Sequence, residues 1–486
     1  MTTNNSSNLK DKIVGGVAWN ATGLVIDNGL QLFVKLLLAR LLLPEVFGII
    51  GFATVFIGMV QVFCDLGMSA ALIQRKEKDL RLVDYDTAYW AGLGWGLFLA
   101  VVLSTIVGPI AANFYNERIL IVIIPVLSIS LILRNLQVVH IVKITREMEF
   151  KKIVLPRNIA RVSASSIAII MALTGFGVWS LVFQSVATDL LLVFIYGYVN
   201  PWKPALRFSK SSFKNIFGFG VYTTGTNIFN YLTNNFDYLL IGKLLGAHAL
   251  GIYTLGYNVT YIVRGQIMDV INSVFYPVYG KLQDDLETTR RYYFKVIKYN
   301  CIVSYPLMVG IILLAKPLVE FGLGEKWSES VLPMQIMAAA GLIHLLTSSN
   351  TVLMRGLGKP NLEFAFSIIK TLCVNVPFVT IGVIYYGIVG AASGLFAAKA
   401  VIFFINNYIL KKVAGIRFGE IIDNAGSLFA LTAIASSCIF VVSNYMALVI
   451  CFFLYLELHL MLSYQDVKQI IGVYQGRNRK AIALNP

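Results

Sequence analysis

Charge is scarce in this 486-residue chain, and acid is scarcer than base: charged residues make up 13% of it, with 25 acidic against 40 basic side chains and 4 histidines. Cys64, Cys301, Cys373, Cys438 and Cys451 all fall inside apolar stretches without the close Cys or His pairs that a metal site needs. They read as small packing residues, and no metal is expected. His140, His248, His344 and His459 are scattered, and neither a P-loop nor a Ser nucleophile elbow occurs. ATPase chemistry is therefore excluded, and the chain is not expected to be an enzyme or to hold a cofactor. Asp84-Tyr-Asp86 has the spacing of an acidic pair that holds a metal and a nucleotide sugar in some glycosyltransferases. It sits in a loop of about a dozen residues with no nucleotide-binding domain around it, so helix capping is the expected use.

What the chain has instead is apolar length. Hydrophobic residues make up 57% of it and the mean hydropathy is +0.73, more than a water-soluble fold can hide. About fourteen stretches of roughly 20 residues follow one another, each long enough to cross the ~30 Å hydrocarbon layer as a helix with all its backbone bonds internal. They fall near 14–39, 46–67, 87–112, 119–141, 155–174, 177–199, 215–241, 249–275, 295–315, 330–354, 362–386, 388–411, 425–443 and 445–464. The first is too long for a cleaved signal peptide and carries Asp27 and Lys35, so it is expected to stay in the mature protein.

Lys and Arg gather in every second connection. About 28 of them, from Lys10 and Lys12 to Arg479 and Lys480, lie on one side, against about five (Arg40, Arg118, Lys243, Lys316 and Lys326) on the other. Cations resist translocation, so both termini of this multi-pass membrane protein are expected in the cytoplasm. The formal charge of +15 then reports topology and contact with anionic membrane lipids, and gives no ground for nucleic-acid binding. The longest opposite-side loop, around Glu320 to Glu329, is too short for the external catalytic domain of a glycan polymerase or ligase.

An internal repeat divides the chain. Leu38 to Ile49 aligns without gaps on Ile241 to Ile252, setting Arg40 on Lys243 and Gly48 on Gly251; the same shift sets Lys12 on Asn215 and Trp19 on Tyr222. The shift covers an even number of spans, so the two copies share an orientation and are expected to be related by an axis along the membrane normal. The expected architecture is all-α and polytopic, with two six-helix lobes (1–200 and 201–414) related by a pseudo-two-fold, and two additional helices with a cytoplasmic tail (415–486).

Polar residues inside the spans mark where chemistry is expected. Asn20, Asp27, Gln31 and Lys35 share one face of the first stretch, and Thr223, Thr226, Asn227, Asn230, Thr233, Asn234 and Asp237 share one face of the seventh. Hydrocarbon penalises such faces, so they should look onto protein or a water-filled cavity, lining it or hydrogen-bonding between helices. Arg134, Arg157, Arg161, Asp189, Arg264, His344, Lys370 and Lys399 extend the pattern. Arg264, Lys370 and Lys399 lie ~14 to 18 Å deep at helical rise, beyond the reach of snorkelling. Arg134, Arg157 and Arg161 lie nearer one surface, where snorkelling competes with a cavity role, and Lys35 is expected to snorkel outward. A central charge costs about 2.5 to 3.5 kcal/mol, so several together suit an anionic passenger, with guanidinium groups matching phosphate oxygens in pairs of bonds. The competing reading pairs these cations with Asp27, Asp189 or Asp237 as structural salt bridges. Asp27 and Asp189 are also the ion-coupling candidates, because a carboxylate in a dry bundle can carry a proton near physiological pH.

The run Phe63-Cys-Asp-Leu-Gly-Met-Ser-Ala-Ala-Leu-Ile-Gln-Arg-Lys-Glu77 resembles the end of the second span in polysaccharide exporters of the MOP flippase superfamily, in the branch that exports colanic and teichuronic acid type repeat units. Asn235-Phe-Asp-Tyr-Leu-Leu-Ile-Gly-Lys-Leu-Leu-Gly-Ala-His-Ala-Leu-Gly-Ile-Tyr253 and Phe275-Tyr-Pro-Val-Tyr-Gly-Lys-Leu-Gln-Asp-Asp285 share the resemblance, which runs through about the first 420 residues. It implies two six-helix lobes in a V around a central cavity, with two extra helices. It also implies alternating-access flipping of an undecaprenyl-pyrophosphate-linked oligosaccharide to the outer leaflet, driven by a proton or sodium gradient, alongside polymerase and glycosyltransferase partners. On that basis the pyrophosphate would meet Arg134, Arg161, Arg264, Lys370 or Lys399, the sugars would meet Asn227, Asn230 and Asn234, and the lipid tail would stay in the bilayer. A multidrug cation antiporter of the same fold is the alternative, and predicts a cavity dominated by carboxylates; a membrane-embedded glycan-processing enzyme needs a catalytic loop that this chain lacks.

Overall fold

The computed structural model of the protein describes residues 27–64, 68–75, 80–442 and 444–474; among the side chains inside helices that lie outside the description are those of 214–230, 233 and 234. Every regular element among the described residues is a helix. In chain order they are α1 (27–41), α2 (Pro44–Gln61), α3 (Met68–Gln74), α4 (Leu82–Tyr115), α5 (Leu120–Arg146), α6 (Lys151–Leu173), α7 (Val178–Val199), α8 (Lys210–Lys281), α9 (Leu286–Leu323), α10 (Glu325–Gly356), α11 (Asn361–Ala414), α12 (Phe418–Val441) and α13 (Tyr445–Tyr474). Eleven helical segments among the described residues are long and apolar enough to cross a membrane, which makes the chain a multi-pass membrane protein.

Nine of the expected stretches each coincide with one helix. The count of fourteen is not reproduced, because 215–241 and 249–275 run together in α8, 362–386 and 388–411 run together in α11, and 14–39 lies partly outside the described residues. A straight helix of 72 residues would be ~108 Å long, several times the hydrocarbon thickness. Instead α8 breaks at Gly246 (φ 83°, ψ −173°) and α11 at Gly387 (φ 58°, ψ −134°), conformations that only glycine adopts without strain.

These breaks repeat across the chain. Gly246 is the counterpart of Leu43 in the alignment of the two copies, and Leu43 is the extended residue (φ −82°, ψ 156°) that separates α1 from α2 and sets Pro44 at the first helical position, where its missing N–H costs nothing. Gly387 has nearly the backbone of Gly177 (φ 54°, ψ −123°), which opens α7 after α6. Beside Gly387 the two arms of α11 touch backbone to backbone: a Cβ on Gly382 would overlap the Gly390 carbonyl, and a Cβ on Gly390 the Gly382 carbonyl.

The chain forms two compact units, Met1–Thr254 and Leu255–Pro486. In the first, Met68, Leu72, Tyr85, Ala88, Val139 and Val142 join α3, α4 and α5, while Ile144, Ile153, Ala160, Leu192 and Tyr196 join α5, α6 and α7. In the second, Val309, Leu313, Ala435, Leu448 and Tyr455 hold α12 and α13 onto α9. Large apolar side chains such as Phe194, Tyr386 and Phe440 remain exposed, as lipid-facing positions should.

Asp84 caps as expected. It accepts from the Arg81 backbone N–H at 2.8 Å and pairs with Arg75 at 3.1 Å, and Asp86 accepts from the Ala205 N–H at 3.1 Å, so the acidic pair is spent on helix and loop structure. Cys64 and Cys301 are buried packing residues, but Cys373 is exposed. It lies in a π-helical turn, Ile369–Asn375, whose wider winding turns Thr371 and Val374 inward and leaves Cys373 outside.

Candidate functional site

Four helices of the first unit each turn a polar face toward one cavity. On α1 the residues are Asp27, Gln31 and Lys35; on α6 they are Arg157, Arg161 and Ser165; both sets recur every fourth residue and so stack along one side of a helix. Gln184, Thr188 and Asp189 come from α7 and Arg134 from α5. All but Asp27 line a cavity of about 360 Å³, at the small end of the range for ligand pockets.

Ion pairs cross it. Arg134 Nε donates to Asp189 Oδ2 at 3.0 Å, and Arg161 pairs with Asp27 while also donating to the Gln31 side-chain oxygen when that amide is turned to receive it. Asp27 and Asp189 are buried, whereas the Arg134 side chain keeps 44% of its exposure, so the pair has a dry end and a wet end. Gln137 donates to the Asp189 backbone carbonyl at 2.9 Å and Gln184 to Ser165 Oγ at 3.0 Å, which fixes the wall behind the charges. Among the described residues, Lys35, Arg134, Arg157 and Arg161 line the cavity with Asp189, Asp27 is paired to Arg161, and both carboxylates are thus already held by a guanidinium. The balance is positive, an arrangement that suits an anion able to take over bonds that the aspartates now receive.

The second unit has its own cationic cluster. Arg264 of α8, and Lys370 and Lys399 on the two arms of α11, all act electrostatically on His344 of α10. His344, Lys370 and Lys399 lie within candidate membrane-crossing segments and Arg264 two residues beyond one, and all four keep intermediate exposure. Arg264 packs over Gly341, where an added Cβ would stand 3.2 Å from its Nη1, and its Nε is buried with no hydrogen-bond partner. Lys370 lies in the π turn Ile369–Asn375, 5.9 Å from the Phe366 ring. Glu363 makes a two-bond fork with Arg355 at 2.5 and 2.9 Å and also acts electrostatically on Lys370.

Among the residues singled out from sequence, Arg134, Arg161, Asp27 and Asp189 thus come together in the first unit, and Arg264, Lys370 and Lys399 in the second. Lys35, expected to snorkel outward, lines the first-unit cavity, because its α1 face is shared with Asp27 and Gln31 and is drawn to Arg161. Arg157 lines the same wall. Asp237 accepts from Tyr253 Oη at 2.5 Å. The side chains of Asn227, Asn230 and Asn234 lie outside the described residues. Ser165, Gln184 and Thr188 were missed, although Ser165 continues the Arg157–Arg161 spacing by one more turn and Thr188 follows Gln184 by four residues.

Known proteins place this architecture. The family described as "Polysaccharide biosynthesis protein" matches residues 37–332, more than half of the chain. The chain belongs to that family. It is 25% identical over 413 residues to the lipopolysaccharide biosynthesis protein WzxC of Escherichia coli (strain K12), covering 83% of this chain and 82% of that one. It is 27% identical over 309 residues to the teichuronic acid biosynthesis protein TuaB of Bacillus subtilis (strain 168), covering 63% of each. The succinoglycan biosynthesis transport protein ExoT of Rhizobium meliloti (strain 1021) is 23% identical over 381 residues, covering 77% of this chain and 74% of that one. Among solved structures, the lipid II flippase MurJ in an inward closed conformation superposes with a TM-score of 0.72 at 14% identity, covering 92% of this chain and 98% of that one. An inward-facing multidrug resistance MATE family transporter of the MOP superfamily gives 0.64 at 17% identity, over 80% and 95%. Family membership and fold therefore agree on a multi-pass membrane protein, helical among its described residues and folded like these solved transporters.

Proposed function

We propose that this member of the polysaccharide biosynthesis family is a secondary transporter. It flips undecaprenyl-pyrophosphate-linked oligosaccharide repeat units across the bacterial cytoplasmic membrane by alternating access, for surface polysaccharide export. The observation that carries this reading is the positive balance of a cavity among membrane-crossing helices, lined among the described residues by four cations and by Asp189, with Asp27 paired to Arg161, so that both carboxylates are already held by arginine. A drug antiporter selecting cations needs the opposite sign. The family, the transport role in the name of ExoT and the MurJ-like fold support a lipid-linked glycan as the anionic cargo.

On this reading Arg134 and Arg161 receive pyrophosphate oxygens in the first unit, Arg264, Lys370 and Lys399 supply cationic contacts in the second, and Asn227, Asn230 and Asn234 face the sugars. Asp27 and Asp189 couple transport to a proton or sodium gradient: an incoming phosphate competes for their arginines, and the carboxylate set loose takes up the driving ion. Both termini face the cytoplasm, two six-helix lobes and a two-helix appendage make up the chain, and glycosyltransferases and a polymerase of the same pathway act before and after it. Depleting the protein tests the function: lipid-linked repeat units should accumulate in the inner leaflet while surface polysaccharide falls. Unchanged surface polysaccharide with no such accumulation would remove the proposal.

A further inference from the structure

Where α1 gives way to α2, the chain packs against its own repeat. The partner of 44–51 is 247–254, both within the first unit, and the numbering of the two segments differs by the repeat shift itself. A Cβ on Gly48 would overlap the Ala247 carbonyl, and a Cβ on Gly251 would overlap the Pro44 carbonyl. Gly48 corresponds to Gly251 and Pro44 to Ala247, so the contact is made twice with roles exchanged, the signature of packing across a local two-fold. Gly51 faces Leu250 and Thr254, and Thr254 is its own counterpart.

On such an axis each residue meets its equivalent. Glu45 Oε1 and His248 Nδ1 are 2.7 Å apart, and residue 248 is the counterpart of residue 45. Two identical charged side chains at this point would repel; the copies have diverged to an acid and a base, which attract. Both side chains are nearly half exposed, 48% and 43%, so the bond forms and breaks at little cost in desolvation. At Gly48 and Gly251 glycine lies on backbone, so neither close approach depends on a side-chain rotamer. The line of contact continues inward, where Tyr231 Oη donates to the Val55 carbonyl at 2.9 Å across the space that a Cβ on Gly58 would fill.

We propose that segments 44–51 and 247–254 form a releasable clasp, latched by Glu45 and His248, that closes one end of the transport path and parts once in each cycle. The proposal rests on the transporter reading. Close backbone packing gives the shut state its fit, and the acid–base pair at the rim gives it a modest, reversible closing force. Alternating access needs such a contact to be specific but weak.

Its test reads water access rather than glycan. The full chain is used with its five cysteines replaced by alanine and a reporter, Thr188→Cys, in the first-unit cavity. A membrane-impermeant thiol reagent is applied to each side of sealed vesicles in turn. His248→Glu places like charges face to face at an exposed position, where folding tolerates them. It should raise reporter labelling from one side by about fivefold, which corresponds to ~1 kcal/mol at 1.4 kcal/mol per tenfold, and lower it from the other. The double variant Glu45→Lys with His248→Glu restores an opposite-charge pair and should return both rates to the starting values. Gly48→Ala, which wedges the contact through its backbone, should act in the same direction as His248→Glu. Unchanged labelling in His248→Glu, equal rises from both sides, or no rescue by the double variant would each overturn the clasp. A lost export phenotype with the labelling pattern intact would instead count against the assigned cargo and leave the clasp standing.

Discussion

Removing the two halves of the Arg134–Asp189 pair should have unequal consequences, because the pair has a dry end and a wet end. In Arg134→Gln the Asp189 carboxylate keeps 8% side-chain exposure and loses its guanidinium, while Arg161 still acts on it electrostatically. Breaking a buried pair from this side costs about 3 to 5 kcal/mol, and the residual pull of Arg161 places the expectation at the lower end, about 3 kcal/mol. In Asp189→Asn the side-chain shape is kept, the Gln137 bond to the residue 189 carbonyl does not involve the altered atoms, and Arg134, 44% exposed, turns into cavity water. That loss should be about 0 to 1 kcal/mol, the scale of an exposed pair. The double variant should resemble Asp189→Asn alone, a coupling of roughly 2 to 3 kcal/mol between the sites. Thermal unfolding in detergent is the assay: at about 2 °C per kcal/mol for a cooperative unit of this size, Arg134→Gln should lower Tm by about 6 °C and Asp189→Asn by less than about 2 °C. Equal drops, or a double variant equal to the sum of the singles, would refute the reasoning.

Other expectations are equally open to measurement. Arg264→Ala, Lys370→Ala and Lys399→Ala should each cut export while the protein accumulates normally, since a water-lined site tolerates a neutral side chain; normal export at normal abundance in all three would sink the cationic role. Asp27→Asn and Asp189→Asn proteins in vesicles should lose the dependence of transport on an imposed pH or sodium gradient, and unchanged dependence in both rules them out as coupling groups. Gly382→Ala, whose new methyl group meets the Gly390 carbonyl, should destabilise the α11 hairpin by about 1 to 3 kcal/mol and reduce accumulation, visible as a lower yield of folded protein. Reporter fusions at Asn4 and after Lys480 should both report cytoplasm, and one external result would break the even span count.

How far the sequence reaches can be argued from particular residues. Apolar length alone located most helices, because lipid forces each crossing segment to satisfy its own backbone, as in 119–141 against Leu120–Arg146. The breaks at Gly246 and Gly387 fall between the expected stretches 215–241 and 249–275 and between 362–386 and 388–411, so their places were legible; that a single glycine makes each break, with helix running up to it on both sides, was not. The repeat was legible at Gly48 and Gly251; that these glycines face one another, with Glu45 on His248, was not, since an alignment gives correspondence and no contact. Within the site, the i, i+4 recurrence of Arg157 and Arg161 was readable but the direction of that face was not. Snorkelling and cavity lining have the same one-helix pattern, and only the approach of α1 to α6 through Asp27 and Arg161 decides between them. The same limit misplaced Lys35.

The central claim is that the passenger is an anionic, lipid-linked glycan. It meets its most direct test in liposomes of bacterial lipids reconstituted with the purified full chain, into which an undecaprenyl-pyrophosphate-linked oligosaccharide with a fluorescent sugar is placed symmetrically. An impermeant quencher added outside removes the signal of outer-leaflet molecules at once, and of inner-leaflet molecules only as they are flipped. Quenching that proceeds past the outer-leaflet half in the presence of the protein, is accelerated by an ion gradient and is lost in Arg161→Ala is the predicted result. Quenching that stops at half with and without the protein, in vesicles where the same preparation drives gradient-dependent movement of an organic cation, would contradict it.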